Sequence, residues 1–172
     1  MPQSEPSGPF SGGCQCGAVR FRVGRLGRAS ICHCRMCQKA FGSFFGPLVS
    51  AYDVTWTRGE PKYFASSDKI RRGFCADCGT PLTYEEIGRP ADQQLEIAIG
   101  AFDDPTVAAP VIQNNITDKL PFFDTLTALP VRTEYSPGWL EFMASLTSHQ
   151  HPDHDTDSWP PQHFPPKDGF AA

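Results

Sequence analysis

The stretch "GGCQCGAVRF", residues 12–21, places Cys14 and Cys16 directly before a segment that alternates apolar and basic residues. A second doublet, Cys75 and Cys78, lies in "FCADCGTPL" before another alternating segment. In each doublet the last cysteine is followed by a glycine, which can turn the backbone with positive φ and aim main-chain N–H groups at the sulfurs. The matching glycines predict that the doublets share one metal ion, which joins the start of a β-sheet to a much later strand.

A third group, Cys32, Cys34 and Cys37, lies in "ICHCRMCQKAFGS" and contains three thiols. A structural zinc takes four protein ligands, whereas a catalytic zinc takes three and keeps one position for water or substrate. The seven cysteines therefore predict one closed site and one open site. His33, a residue distant in sequence or another chain are alternative sources of a fourth ligand, in which case the triplet only holds a loop.

The composition suits one globular domain in a reducing compartment. The chain has 172 residues, of which 40% are hydrophobic, enough for a core. No run approaches the roughly 18 apolar residues of a membrane span, and the N-terminus lacks the features of a secretory signal. We therefore expect a cytoplasmic protein with no membrane partner, in which clustered cysteines bind metal rather than form disulfides.

The charge is unevenly distributed along the chain. Residues 1–80 carry 11 Lys+Arg and 5 Asp+Glu, and residues 81–172 carry 4 and 14. A basic half can attract an anionic partner, or it can simply offset bound thiolates. The chain has no long Lys/Arg run of the kind that indicates nucleic-acid binding, so a nucleic-acid partner is disfavoured.

The hydrophobic pattern predicts mostly antiparallel β structure with few short helices. Alternating or β-branched segments bounded by turns indicate five or six short strands. They are "AVRFRV" (18–23), "PLVSAYDVTW" (47–56), "PKYF" (61–64), "PLTYEE" (81–86) and "LEIAIGAF" (95–102). The best helix is residues 34–41, closed by Gly42. Prolines and Asp/Asn pairs in residues 102–130 indicate ordered loops or short edge strands packed by Phe122 and Phe123.

The two ends of the chain differ in composition from the middle. Residues 1–10 are proline-rich and are predicted to be a flexible leader, with order beginning near Gly12. Residues 11–140 form the predicted domain. Residues 141–172 are rich in Pro, His and Asp, and we expect a flexible tail unless a partner orders it. A spaced histidine cluster can bind a transition metal, and a solvated tail is the alternative. The histidines are His149, His151, His154 and His163.

In this order and spacing, "GGCQCGAVRF", "ICHCRMCQKAFGS" and "FCADCGTPL" resemble the glutathione-dependent formaldehyde-activating enzyme family, whose domain also occurs in centromere protein V. The resemblance covers roughly residues 10–135 and is supported more loosely by "KLPFFDTLTALP". It implies an Mss4-like antiparallel β fold held together by zinc, with two zinc ions per chain. It also implies the metal ligands: a structural zinc on Cys14, Cys16, Cys75 and Cys78, and a catalytic zinc on Cys32, Cys34 and Cys37.

The resemblance further implies a carbon–sulfur lyase that joins formaldehyde to the thiol of glutathione, its co-substrate, to give S-hydroxymethylglutathione. The partners would then be a small thiol and a small aldehyde. Many relatives carry a tryptophan where this chain has Phe122-Phe123, so the glutathione contacts stay unassigned. Four basic residues are candidates for the two glutathione carboxylates, and basic side chains that merely solvate a strand or helix face are the alternative. The four are Arg35, Lys39, Arg71 and Arg72.

Two other functions compete with catalysis. In the first, both zinc ions are structural and the chain is a binding or scaffold module with a protein or nucleic-acid partner. In the second, the triplet is a thiol redox switch. The switch requires a metal-free state, because zinc-bound thiolates are protected from oxidation.

Overall fold

The computed structural model describes residues 7–90 and 94–159, and within them the fold is mainly β. The strands are β1 (Ser7–Gly13), β2 (Arg20–Cys32), β3 (Gly46–Tyr52), β4 (Thr55–Arg58), β5 (Lys62–Ala65), β6 (Ile70–Phe74), β7 (Pro81–Glu86), β8 (Leu95–Ala98) and β9 (Ile112–Asn114). The α-helices are α1 (Arg35–Phe41) and α2 (Pro137–Ser145). Short 3-10 segments lie at Ile99–Ala101, Pro105–Ala108, Ile116–Asp118 and Pro121–Ala128.

The strands form one nine-stranded sheet in the order β1-β2-β3-β8-β7-β6-β5, with β4 and β9 also paired to β2. The pairs are antiparallel apart from β2 with β9, which run parallel. The prediction of a mainly β, antiparallel fold with few short helices is confirmed. None of the helices in the described residues is long and apolar enough to span a membrane.

Buried and exposed residues alternate along β2, and the buried ones form the centre of the core. Phe21 and Val23 are fully buried, whereas Arg22 between them is exposed. The Phe21 ring makes edge-to-face contacts with Trp56 and Phe102 at centroid distances of 5.9 and 5.3 Å. Three cysteines of the two doublets belong to the same core cluster, so this metal-ligand candidate is part of the hydrophobic core. They are Cys14, Cys16 and Cys75.

Local signals in the sequence place α1 correctly. The helix begins after Cys34, whose side chain accepts a hydrogen bond from the Cys37 backbone N–H. It ends at Gly42, which has the left-handed φ of +57° that glycine adopts without steric penalty. The helix predicted for residues 34–41 is therefore present with its predicted end.

Two strands escape the sequence pattern. Strand β1 begins at Ser7, although order is expected only near Gly12, and its Phe10 pairs with Val23 of β2. Strand β6 has the sequence "IRRGF", in which two arginines and a glycine interrupt the alternation of apolar and polar residues that indicates a strand. Both strands are held by antiparallel partners, so tertiary pairing decides their structure rather than their own β-propensity.

The segment 102–130 consists of 3-10 turns and the short strand β9, as the sequence indicates. The two phenylalanines predicted to pack it behave differently. Phe123 packs edge-on against the His33 ring at 4.7 Å, whereas Phe122 is half exposed and touches Phe44.

Residues 150–159, which we name the C-terminal clasp, lie against the turn that carries the first doublet. The His151 backbone N–H donates to the Gln15 carbonyl (2.7 Å), and the His151 side chain is buried. At the other end, Trp159 Nε1–H donates to the Cys16 carbonyl (2.8 Å). The clasp therefore covers the backbone of the Cys-x-Cys turn.

Ionic contacts hold the middle of the clasp. Asp155 accepts hydrogen bonds from Arg20 and Arg22 of β2, with closest distances of 2.9 Å to each. Arg58 of β4 donates to the Thr156 carbonyl and hydroxyl oxygens. Basic residues of the sheet and acidic or polar residues of the clasp thus meet, which is consistent with the opposite charges of the two halves of the chain.

The clasp belongs to the predicted flexible tail, residues 141–172, whose flexibility stays a prediction. The surface that it contacts is the domain itself, and the predicted boundary at residue 140 falls inside α2. Among the described residues the clusters able to hold a metal consist of cysteines, so the histidines here do not form one. Residues 160–172, including His163, lie outside the described residues.

Buried His151 predicts that the stability of the clasp depends on pH. Burial and the charges of Arg20 and Arg58 lower the pKa of His151, against a hydrogen bond to the Pro152 carbonyl that raises it. An unfolded histidine takes its proton near pH 6.5, so stability is full above this pH and falls as the pH drops towards the lower folded pKa. Between about pH 7.5 and about pH 5.5, we expect zinc-loaded wild type to lose more unfolding free energy than His151→Gln in urea titrations. Equal losses would contradict a buried neutral His151.

Candidate metal sites

The two doublets come together at one end of the sheet and form the four-cysteine group. Cys14 and Cys16 lie in the turn after β1, and Cys75 and Cys78 lie in the turn between β6 and β7. The Sγ atoms of Cys14 and Cys16 are 3.5 Å apart, and those of Cys16 and Cys75 are 3.8 Å apart. All four sulfurs lie within 4.8 Å of one another. Tetrahedral zinc with Zn–S bonds of about 2.3 Å requires sulfurs about 3.8 Å apart, so the group fits zinc.

The glycines after each doublet have the predicted conformation. Gly17 has φ of +80° and Gly79 has φ of +77°. The Val19 backbone N–H donates to Cys14 Sγ (3.2 Å), and Thr80 Oγ1 lies 3.1 Å from Cys78 Sγ. The sulfurs are therefore surrounded by main-chain and hydroxyl groups, as is typical of a thiolate site with oriented ligands.

Four thiols this close need a cation to ionise together. Burial raises the pKa of Cys16 beyond its usual range and that of Cys75 to about 11. For Cys78, burial raises the pKa, but hydrogen bonds from Thr80 outweigh it and lower the pKa to about 7. A divalent cation held among the sulfurs would supply the positive charge that stabilises the thiolate form of the buried cysteines.

The third group, Cys32, Cys34 and Cys37, forms the three-cysteine group where β2 meets α1. Its sulfurs also lie within 4.8 Å of one another. The Cys37 backbone N–H donates to Cys34 Sγ (3.4 Å), and Asn115 Nδ2–H donates to Cys32 Sγ (3.1 Å). Arg72 Nη2–H donates to Cys37 Sγ (3.5 Å). The donor set matches the three ligands of an open zinc site.

Asn115 is a contact that the sequence does not indicate. It follows β9 in a left-handed conformation with φ of +53°. The parallel pairing of β9 with the end of β2 sets Asn114 opposite Cys32 and so brings the next residue to the sulfur. A pairing between segments about 80 residues apart leaves no local pattern, and only the turn-forming "NN" pair marks the position.

His33 does not complete the three-cysteine group. Its ring is fully buried, and Nε2 lies 2.9 Å from Gln113 Oε1, while Phe123 packs against the ring. It is not among the residues whose ligand atoms gather at this group. The described part of the chain thus brings together three possible metal ligands here.

The four basic candidates for substrate binding are separated by the fold. Arg72 is buried and contacts Cys37, whereas Arg71, on the opposite face of β6, lies over the Tyr63 ring and pairs with Glu85. Strand alternation produces this difference between adjacent residues.

The two candidates on α1 are exposed. Arg35 donates to Gln38 Oε1 (2.9 Å), which fixes it along the helix surface, and Lys39 lies in the last turn. Neither forms a contact with the three sulfurs among the described residues. Of the four candidates, Arg72 is therefore the one that the structure brings to a cysteine group.

Two cavities of about 450 and 460 Å³ lie among the described residues, and neither is lined by a cysteine of the three-cysteine group. The first lies beside the four-cysteine group and is lined by Cys14, Cys78 and the clasp. The second is lined by Tyr63, Arg71 and Glu96. The three-cysteine group instead reaches the surface through half-buried Cys32 and Cys34.

Fold and sites define a mainly β protein with two thiol clusters able to hold zinc. Residues 9–118 match the family model described as "Glutathione-dependent formaldehyde-activating enzyme". The match covers more than half of the chain, so the chain belongs to the glutathione-dependent formaldehyde-activating enzyme family. All seven cysteines and Asn115 lie within the matched residues, whereas α2 and the C-terminal clasp lie beyond them. The resemblance drawn from the three cysteine motifs is confirmed.

Proposed function

We propose that this protein is a zinc-dependent carbon–sulfur lyase that joins a thiol such as glutathione to formaldehyde or another small aldehyde, and cleaves the product in reverse. The observation that carries the proposal is the unequal number of cysteines in the two groups. Four sulfurs are the number that a tetrahedral structural zinc requires, and three leave one position for another ligand. Family membership supports this class of substrates.

In this proposal the four-cysteine group, Cys14, Cys16, Cys75 and Cys78, holds a structural zinc, and the three-cysteine group holds the catalytic one. A zinc ion on the three-cysteine group would lower the pKa of a bound thiol, so that the nucleophilic thiolate forms at neutral pH. Three anionic protein ligands weaken any Lewis acidity towards a carbonyl oxygen, which favours activation of the sulfur.

The overall reaction is balanced without a further reagent. A bond forms between the thiol sulfur and the aldehyde carbon, the carbonyl π bond breaks, and the proton lost by the thiol ends on the former carbonyl oxygen. The chain contributes orientation: Asn115 and the Cys37 N–H fix the sulfurs of Cys32 and Cys34. The free cysteines suit a reducing compartment, and we place the protein in the cytoplasm.

One observation favours the alternative, a zinc-stabilised binding or scaffold module. Helix α2, beyond the family match, exposes four large apolar side chains, Trp139, Leu140, Phe142 and Met143. Exposed apolar surface of this kind is typical of protein contacts. In this alternative both metals are structural, and thiols do not affect the metal of the three-cysteine group.

Cys34→Ser tests the catalytic role of the three-cysteine group. Serine caps a helix as well as cysteine does, so α1 and the fold should remain, while one metal ligand is lost. We expect turnover of thiol and formaldehyde to fall at least about 100-fold. The measurement combines zinc per chain with an assay of a small panel of thiols and aldehydes, for which wild type should contain two zinc ions.

The matched control is Met36→Ser, which introduces the same residue at an exposed position of α1. It should keep turnover close to wild type. A Cys34→Ser protein that still accelerates adduct formation would exclude the proposed site. Equal thermal shifts with glutathione and S-methylglutathione would instead support the binding module.

A further inference from the structure

Arg72 is a buried cation with one unused hydrogen-bonding nitrogen. Only 7% of the residue is exposed. Its Nε–H donates to Ser66 Oγ (3.3 Å) and its Nη2–H donates to Cys37 Sγ (3.5 Å). The remaining nitrogen, Nη1, is buried and has no hydrogen-bond partner. Among the described residues no carboxylate forms an ion pair with Arg72.

A buried guanidinium in this state requires negative charge nearby. Burying an unpaired charge or leaving a buried donor unsatisfied is strongly unfavourable. A source of negative charge lies in contact with Arg72, because three thiolates around a divalent cation at the three-cysteine group would carry one excess negative charge. A fourth ligand that is itself a thiolate adds another, whereas water adds none.

The two cysteine groups differ in the charge of the groups that donate hydrogen bonds to their sulfurs. The sulfurs of the four-cysteine group receive hydrogen bonds from backbone N–H groups and lie beside the Thr80 hydroxyl, which are neutral. At the three-cysteine group, Asn115 and Arg72 supply side-chain donors, and Arg72 is charged. A charged donor is therefore placed at the group that has a position for an incoming ligand.

We propose that Arg72 is a substrate-binding residue whose free Nη1–H donates a charge-assisted hydrogen bond to the sulfur of the incoming thiolate. This inference rests on the proposed function and adds the residue that would contact the thiolate sulfur. Charge-assisted hydrogen bonds are about twice as strong as neutral ones. Arg72 thus favours a thiolate over water or an alcohol at the same position, and it acts on the sulfur rather than on the carboxylates of glutathione.

Arg71 provides a matched control within the same strand. It carries the same charge one residue earlier, but it lies on the other face, where it pairs with Glu85 at 2.6 Å and stacks on Tyr63. Arg71→Gln and Arg72→Gln remove the same charge from adjacent positions. A general electrostatic effect would be similar in both variants, whereas direct contact with the sulfur would affect only Arg72→Gln.

The experiment measures thiol binding by zinc-loaded wild type, Arg72→Gln, Arg72→Lys and Arg71→Gln, from about pH 6 to about pH 9. Two probes are used by calorimetry: glutathione, and 2-mercaptoethanol, which has no carboxylate. For Arg72→Gln we expect binding of both thiols to weaken about tenfold or more, with the pH midpoint of binding raised by about one unit. Arg71→Gln should bind both thiols as tightly as wild type. The affinity of Arg72→Lys should lie between those of wild type and Arg72→Gln.

Each outcome separates this inference from the proposed function. If wild type binds neither thiol through sulfur, the proposed function fails first. If wild type binds both and Arg72→Gln binds them equally well, the role of Arg72 alone is wrong. Weaker binding of glutathione with unchanged binding of 2-mercaptoethanol would assign Arg72 to a carboxylate and would also overturn the inference. Zinc content is measured on every sample. If Arg72→Gln loses zinc, the affinities of Arg72→Lys for the two thiols are compared with those of wild type instead.

Discussion

Cys75→Ser should abolish the stable fold, or lower the thermal midpoint by at least about 10 °C, with loss of one zinc ion per chain. Cys75 is 1% exposed and belongs to both the four-cysteine group and the hydrophobic core. Structural zinc contributes about 10 to 16 kcal/mol in small zinc domains, which is comparable to the whole stability of a typical protein. A serine hydroxyl is a much poorer zinc ligand than a thiolate and leaves a polar group in the core.

The comparison is with Cys34→Ser, which makes the same chemical change in the three-cysteine group. Cys34 is half-buried, caps a short helix and lies outside the core cluster, so its loss should change the thermal midpoint far less. Calorimetric unfolding of both variants, with zinc measured on the same samples, checks the prediction. Similar midpoints for the two variants would contradict a division into a structural and an open site.

Asp103→Ala should lower the free energy of unfolding by about 3 to 5 kcal/mol. Arg20 is 3% exposed, and Asp103 accepts two hydrogen bonds from its guanidinium, at 2.7 and 2.6 Å. Ser11 Oγ donates a further bond to the same carboxylate (2.6 Å). Within residues 7–90 and 94–159, removal of Asp103 leaves this buried cation with the clasp residue Asp155 as its only ionic partner. The large effect arises from that incomplete compensation.

Asp155→Ala removes the other carboxylate from the same guanidinium and is the matched control. The Asp155 side chain is 33% exposed, against 12% for Asp103, so water screens its interaction with Arg20. We expect an effect of about 1 kcal/mol or less. Urea titrations of the zinc-loaded proteins measure both values. Equal losses would show that burial of the ion pair is not what makes Asp103 important.

The cysteine groups could be predicted because their signals are local. Each signal lies within a few positions of the cysteines that it concerns. The signals are the spacing of the cysteines, the glycine after each doublet and the helix-forming residues after Cys37. The structure brings the two doublets together as predicted, with Gly17 and Gly79 at positive φ. That each group binds zinc, and the role of each zinc, stay predictions.

What the sequence could not show depends on contacts between distant segments. Asn115 reaches Cys32 through the pairing of β9 with β2, and the clasp reaches the first doublet from more than 130 positions away. The four basic candidates look alike in the sequence. The fold distinguishes them: Arg35 and Lys39 are exposed on α1, and within β6 the packing of the strand buries Arg72 and leaves Arg71 exposed.

Strand β6 links the surroundings of both cysteine groups. Arg72 lies in the strand and contacts Cys37, and Cys75 follows three positions later, about 10 Å along an extended chain. The anchoring of Cys75 therefore sets where the guanidinium lies. If both groups bind zinc as proposed, the ion on the four-cysteine group would hold the end of the strand that carries Arg72. A chain with zinc on the three-cysteine group alone would then hold a metal without the aligned cation beside it.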